Sequence, residues 1–298
     1  MSKHRTQGTK RLPLVDGGHE ADPAAGSPDR TRAAGHTWKG GLPVELTSFV
    51  GREREVAEVK GLLADHRLLT LTGPGGSGKT RLALAVAFEV VGSFEDGAWF
   101  VELAPLSDPD LVPQGVAQAL DVREAPGCPL AETLVKHLRD KELLLILDNC
   151  EHLVEACAVL ADALLRSCPG VRILATSREA LAVGGEGAWL VHSLDLPDPR
   201  RRSSVEELGR YEAVRLFVER AHDATSGFEL TERNAPAVAR VCRQLDGIPL
   251  AIELAAVRIR ALSVEQICEN RPFAFPFAAT RSVTSSRREL TCCGPHYY

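Results

Sequence analysis

The segment Leu68-Leu69-Thr70-Leu71-Thr72-Gly73-Pro74-Gly75-Gly76-Ser77-Gly78-Lys79-Thr80-Arg81 runs from a short apolar stretch through G-x-x-x-x-G-K-T into LALAVAFEVV. No other feature constrains the fold as much, because this loop functions only where a strand delivers it and a helix receives it. Glycines let successive backbone N–H groups turn inward around phosphates, and the helix presents its positive N-terminal end to them. Gly73, Pro74, Gly75, Gly76, Ser77 and Gly78 are therefore expected to cradle the phosphates of a nucleoside triphosphate. Lys79 would reach the β and γ phosphates and Thr80 would offer its hydroxyl to Mg²⁺. Arg81, next in the chain, is counted with this nucleotide-binding set.

Length and composition fit that expectation. The chain has 298 residues, is 44% hydrophobic and carries a formal net charge of −5, which suits one large or two modest globular domains. The acidic balance argues against a protein that coats nucleic acid, since neutralising phosphates takes clustered Lys and Arg. Eight cysteines are scattered without a C-x-x-C pair or a zinc-like His spacing, so they read as reduced thiols of a cytoplasmic protein. No run approaches the roughly 18 apolar residues of a membrane span, and the basic N-terminus lacks an apolar segment after it.

Residues 1–42 are rich in Gly, Pro, Asp, Arg and Thr without an apolar period, and are expected to be disordered. Beyond them, 43–196 alternate between strand-like and helix-like segments. After the phosphate loop and its helix come a strand at 98–103, helical segments near 109–120 and 130–138, and the apolar run LLLILDN ending in Asp148. A helix, a strand at 171–175 and a further strand around 188–191 follow. This order predicts an α/β fold, a parallel sheet with ligands at the strands' carboxyl ends. After Leu196-Pro197-Asp198-Pro199 the pattern becomes helical to residue 269, with a break at Gly247-Ile248-Pro249. A small helical domain beside the sheet is expected there. The last segment, 270–298, has no helical period, and is expected to be a truncated or out-of-frame end rather than a partner-binding tail.

Asp148, closing the buried strand, is the expected Mg²⁺-holding acid opposite Thr80. Hydrolysis also needs a group to orient water. Asn149 is an amide and a poor base, whereas Glu151 is the nearest carboxylate, either for that role or as a first-turn acid complementing its helix dipole.

Five motifs in order, FVGRE (Phe49 to Glu53), GPGGSGKT, LLLILDNCEHL, ILATSRE and GIPLAIELAA, closely resemble the STAND class of signal-transducing P-loop ATPases. The match covers residues 43 to about 268. It is to the bacterial branch related to NB-ARC and AP-ATPase domains, and more narrowly to the ATPase module of actinobacterial regulators of the LuxR and SARP types. The resemblance implies ATP or ADP with Mg²⁺ as ligands. It puts Val50, Gly51 and Arg52 on the adenine and ribose side, Arg178 as a γ-phosphate sensor, and Pro249 as the residue that brings the helical domain onto the nucleotide. It further implies a slow ATPase switch working with an effector protein or as a homo-oligomer. No helix-turn-helix is identifiable, so direct DNA binding is not expected. Two other readings stay open: a non-catalytic nucleotide-binding scaffold, and a P-loop enzyme or AAA-type motor acting on a separate substrate.

Overall fold

A computed structural model describes residues 40–269 apart from positions 45 and 202. The expected disordered segment 1–42 and irregular tail 270–298 therefore lie outside the described residues, except at 40–42. There the expectation needs correction: Gly40–Gly41 forms β1 and pairs in parallel with the start of a later strand at Ala98 and Trp99. Backbone hydrogen bonding carries this pairing, and an apolar period cannot report it.

Six parallel strands make the sheet, ordered β1-β3-β4-β5-β2-β6, with β2 at Leu68–Thr72, β3 at Ala98–Glu102, β4 at Leu143–Asp148, β5 at Val171–Thr176 and β6 at Glu186–Leu190. Every residue of β4 is buried, because helices cover both faces and a strand between them must be apolar on both. Its side chains divide by parity. Leu143, Leu145 and Leu147 join the core beneath α3 (Val112–Ala119), α4 (Leu130–Leu138) and α5 (Val154–Ser167). Leu144 and Ile146 join the opposite core beneath α1 (Glu53–Asp65) and α2 (Lys79–Val90). Because all strands point the same way, the loops leaving Thr72, Asp148 and Thr176 emerge along one edge.

The second part holds α6 (Val205–Leu208), α7 (Glu212–Ala224), α8 (Ala235–Gln244), α9 (Pro249–Ala256) and α10 (Val264–Glu269). The apolar spacing from Leu208 onward reads as one continuous helix, LGRYEAVRLFVERAHDA. Instead α6, closed by a Ser204/Glu207 capping box, stops at Gly209 and α7 restarts after Tyr211. α9 begins with Pro249 in its first turn, where the missing N–H costs nothing. Phe217 is fully buried at the centre of this helical core, with the Phe228 ring edge-on at 6.1 Å. Val50 and Leu194 pack into the same core, so the FVGRE segment and the segment after β6 both belong partly to the helices.

Candidate nucleotide-binding site

The phosphate loop leaves β2 at Thr72 and ends where α2 begins at Lys79. Gly76 and Gly78 take φ of 75° and 88°, a region open to glycine at little cost. At Gly76 the neighbour is as important as the angle: an added Cβ would meet Leu250 Cβ at 3.0 Å. Lys79 is 8% exposed, and its ammonium donates to the Gly73 and Pro74 carbonyls at 3.0 and 3.1 Å. Burial lowers its pKa, opposed by Glu151 and Asp148 and reinforced by Arg178. The loop thus folds around a charge that it only partly compensates.

Opposite the lysine, Asp148 ends β4 with its Oδ1 accepting two hydroxyl hydrogen bonds. Thr80 donates at 2.7 Å and Thr176, at the end of β5, donates at 2.7 Å. The Thr176 oxygen in turn accepts the backbone N–H of Asn149 at 2.9 Å. Thr176 was not singled out in the sequence. Its only signal is its position at the end of a strand that the sheet order places between β4 and β2.

Asn149 has φ of 64°. Its amide lies 3.5 Å from His152 Nδ1, and His152 Nε2 lies 2.7 Å from the Leu106 carbonyl. A carbonyl only accepts, so Nε2 carries the proton and Nδ1 takes the Asn149 N–H. Glu151, in the short 3-10 turn Cys150–His152, pairs through Oε1 with Arg178 Nε at 3.2 Å. Its other oxygen is buried without a partner among the described residues. Arg178 itself is 57% exposed at the side chain.

Arg52 reaches the loop from the other side. Only 2% exposed, it donates from Nη2 to the carbonyls of Ser77 and His192, each at 2.8 Å, and its own N–H donates to Glu212 Oε1 at 2.6 Å. Burial pulls its pKa down while Glu55 and Glu212 pull it up. Gly51 sits against Glu212, and Val50 is inside the helical core. Pro249 Cγ lies 3.8 Å from where a Gly78 Cβ would stand, and the Leu250 N–H donates to the Gly76 carbonyl at 3.3 Å. The Arg81 side chain turns away, towards Glu253 and the carbonyls of Thr47 and Ser48.

Two buried polar atoms beside the loop, Arg52 Nη1 and Ser77 Oγ, have no partner among the described residues. An unsatisfied buried polar group costs about 1–3 kcal/mol. Together with a glycine cradle at a helix N-terminus, they fit an anionic, oxygen-rich ligand such as a nucleotide phosphate. The Thr80/Asp148 pair supplies the hard oxygens that Mg²⁺ takes.

The AAA domain family matches residues 63–182, the stretch that contains β2, the phosphate loop, β4 and β5. Residues 63–182 are thus similar to AAA domains, and the sheet they belong to has the α/β P-loop NTPase fold. The NTPase region recurs in longer proteins. An uncharacterized protein of Mycobacterium tuberculosis is 42% identical over 248 residues, covering 83% of this chain and 60% of that protein. A candidate HTH-type transcriptional regulator of the same organism is 41% identical over 221 residues, covering 74% of this chain and 23% of that protein. The chain thus spans less than two thirds of these relatives' length. Among solved structures, the Walker-type ATPase of Pyrococcus abyssi shares the NTPase fold, with a TM-score of 0.50 at 15% identity over 74% of this chain and 70% of that one. No helix among the described residues is long and apolar enough to cross a membrane.

Proposed function

We propose that this chain is the ATP/ADP-binding switch module of a STAND-type regulator, with slow ATP hydrolysis, acting in transcriptional or signalling control. The observation that carries this reading is the contact of the helical domain with the phosphate loop itself, through the Leu250 N–H on the Gly76 carbonyl and Pro249 beside Gly78. A nucleotide bound in this loop touches both parts of the molecule, so its phosphates bias how they sit together. In this reading Gly73 to Gly78, Lys79 and Arg52 hold the phosphates, and Thr80 and Asp148 hold Mg²⁺. When bound there, Mg²⁺ would neutralise phosphate charge. Arg178 rests on Glu151 until a γ-phosphate offers a stronger partner. Glu151 then becomes available to orient water, so that arrival of ATP both marks the state and arms its removal. An effector protein, or assembly of several copies, would read the change.

Asn149 favours a second reading, a nucleotide-binding scaffold without turnover, because its amide is held by His152 and accepts no proton. Phosphate release from saturating Mg·ATP separates the two. The switch reading predicts slow turnover lost in Glu151→Gln; binding of ADP and ATP with no phosphate release in the wild-type chain supports the scaffold.

A further inference from the structure

Behind the nucleotide face, Glu253 on α9 receives two arginines from different elements on one carboxylate oxygen. Arg81 Nη1, in the first turn of α2, and Arg220 Nε, on α7, each lie 3.1 Å from Oε1. The same two arginines converge again on the Ser48 carbonyl, Arg81 Nη2 at 2.6 Å and Arg220 Nη2 at 2.7 Å. Arg220 Nη1 also donates to the Ser48 hydroxyl at 3.1 Å, and Arg81 donates to the Thr47 carbonyl at 2.9 Å. The result is a closed ring: Arg81, Glu253, Arg220, Ser48, and back to Arg81. Arg220 is 6% exposed, and the surface acids Glu219 and Asp223 face it at 3.2 and 3.5 Å. The Arg81 guanidinium stands 5.9 Å from the Phe49 ring centroid.

Three elements of this ring each carry part of the candidate site. Arg81 follows Lys79 and Thr80 directly. Ser48 leads into Val50 to Arg52. Glu253 sits four residues after Pro249 on the same helix, and therefore on the same face one turn along. Each arginine fork spans two acceptors at once, a geometry that a guanidinium fixes and an ammonium does not. The ring therefore sets the distance between α9 and the phosphate loop without touching the phosphates.

We propose that Glu253 is a positioning residue that holds the helical domain closed on the phosphate loop and thereby governs how slowly bound nucleotide leaves. This inference rests on the nucleotide-binding reading above. Opening the ring lets Pro249 and Leu250 lift from Gly78 and Gly76, while Lys79, Thr80 and Asp148 keep their places. Release quickens and capture changes little.

The test is stopped-flow binding and displacement of a fluorescent N-methylanthraniloyl ADP on the full chain, with melting curves taken alongside. Glu253→Gln is expected to raise the release rate about tenfold, with the association rate within about threefold of wild type. Glu253→Asp, which keeps the charge, should recover part of the slow release. Arg220→Lys loses the planar fork that holds Glu253 and Ser48 in one geometry and should also speed release; in the double variant with Glu253→Gln the two effects should not add, because both open one ring. Unchanged release in folded Glu253→Gln and Arg220→Lys overturns the proposal, as does full additivity. Should Glu253→Gln not fold, the Glu253→Asp and Arg220→Lys rates decide by the same criterion. A wild-type chain that takes up no labelled ADP instead removes the nucleotide reading itself, and the proposal with it.

Discussion

Thr176 ties the end of β5 to the end of β4 with one hydroxyl, donating to Asp148 and accepting from the Asn149 backbone. Replacing it with Val strands a partly buried N–H, and should lower stability by about 1 kcal/mol in denaturant unfolding. The same variant should weaken Mg²⁺-dependent ADP affinity, because Asp148 loses one of the two hydroxyl donors that orient it; Thr176→Ser should restore both. Lys79 behaves in the opposite way. Its folded pKa lies below the usual 10.5, so between the two values the unfolded chain binds more protons and stability rises with pH; below the folded pKa the charge penalty is present in full. Lys79→Met should therefore abolish nucleotide binding yet leave the nucleotide-free protein as stable as wild type, or up to about 1 kcal/mol more so. A melt at pH 7 checks this, and a large loss of stability in Lys79→Met contradicts it. Cys242 is a fully buried thiol in the helical core, its pKa raised by burial from the usual 9.0 to about 12. It should resist alkylation at pH 8 until the protein unfolds. Above pH 9 the unfolded thiol ionises first, so this group subtracts stability as pH climbs towards its folded value.

At the scale of elements, the sheet was legible because burial on both faces leaves an uninterrupted apolar run, as in LLLILD, and a phosphate loop announces the strand and helix on either side. Leu145→Ala in the middle of β4 should cost about 3 kcal/mol, measured by the shift in denaturant midpoint. The turn before α9 was also legible, as Gly247-Ile248-Pro249, and the reason for its glycine is specific. Gly247 has φ of 68°, and an added Cβ would stand 2.5 Å from the Leu194 carbonyl, so Gly247→Ala should destabilise by more than the roughly 1 kcal/mol of a bare conformational penalty. Side-chain partnerships were much less legible. Glu151 is a candidate to orient water and Arg178, by resemblance, a γ-phosphate sensor, but their pairing follows from β5 lying next to β4, which chain order alone does not reveal. Arg52 is placed on the adenine and ribose side by resemblance; the bond of its guanidinium to the Ser77 carbonyl of the phosphate loop is a contact that no local pattern marks. Glu212, which receives the Arg52 N–H, lies 160 residues away in the chain, and no local pattern marks such a contact. The break at Gly209 was missed because the apolar spacing carries across it from α6 into α7.

Across the described residues, helices α6 to α10 and the sheet meet on the loop that would hold phosphate. Val50 and Leu194 from the sheet side are built into the helical core, Arg52 is pinned to Glu212, and the Glu253 ring closes the far side. A nucleotide seated there would be enclosed by parts of both, so it should stabilise the chain as a unit and leave slowly. The most direct measurement is the identity and stoichiometry of nucleotide released by acid quench and chromatography from the purified chain, beside a Lys79→Ala control. Near-stoichiometric ADP that disappears in the control is the predicted result. A folded wild-type chain that carries no nucleotide and takes up neither ADP nor ATP when Mg²⁺ is supplied would contradict the account.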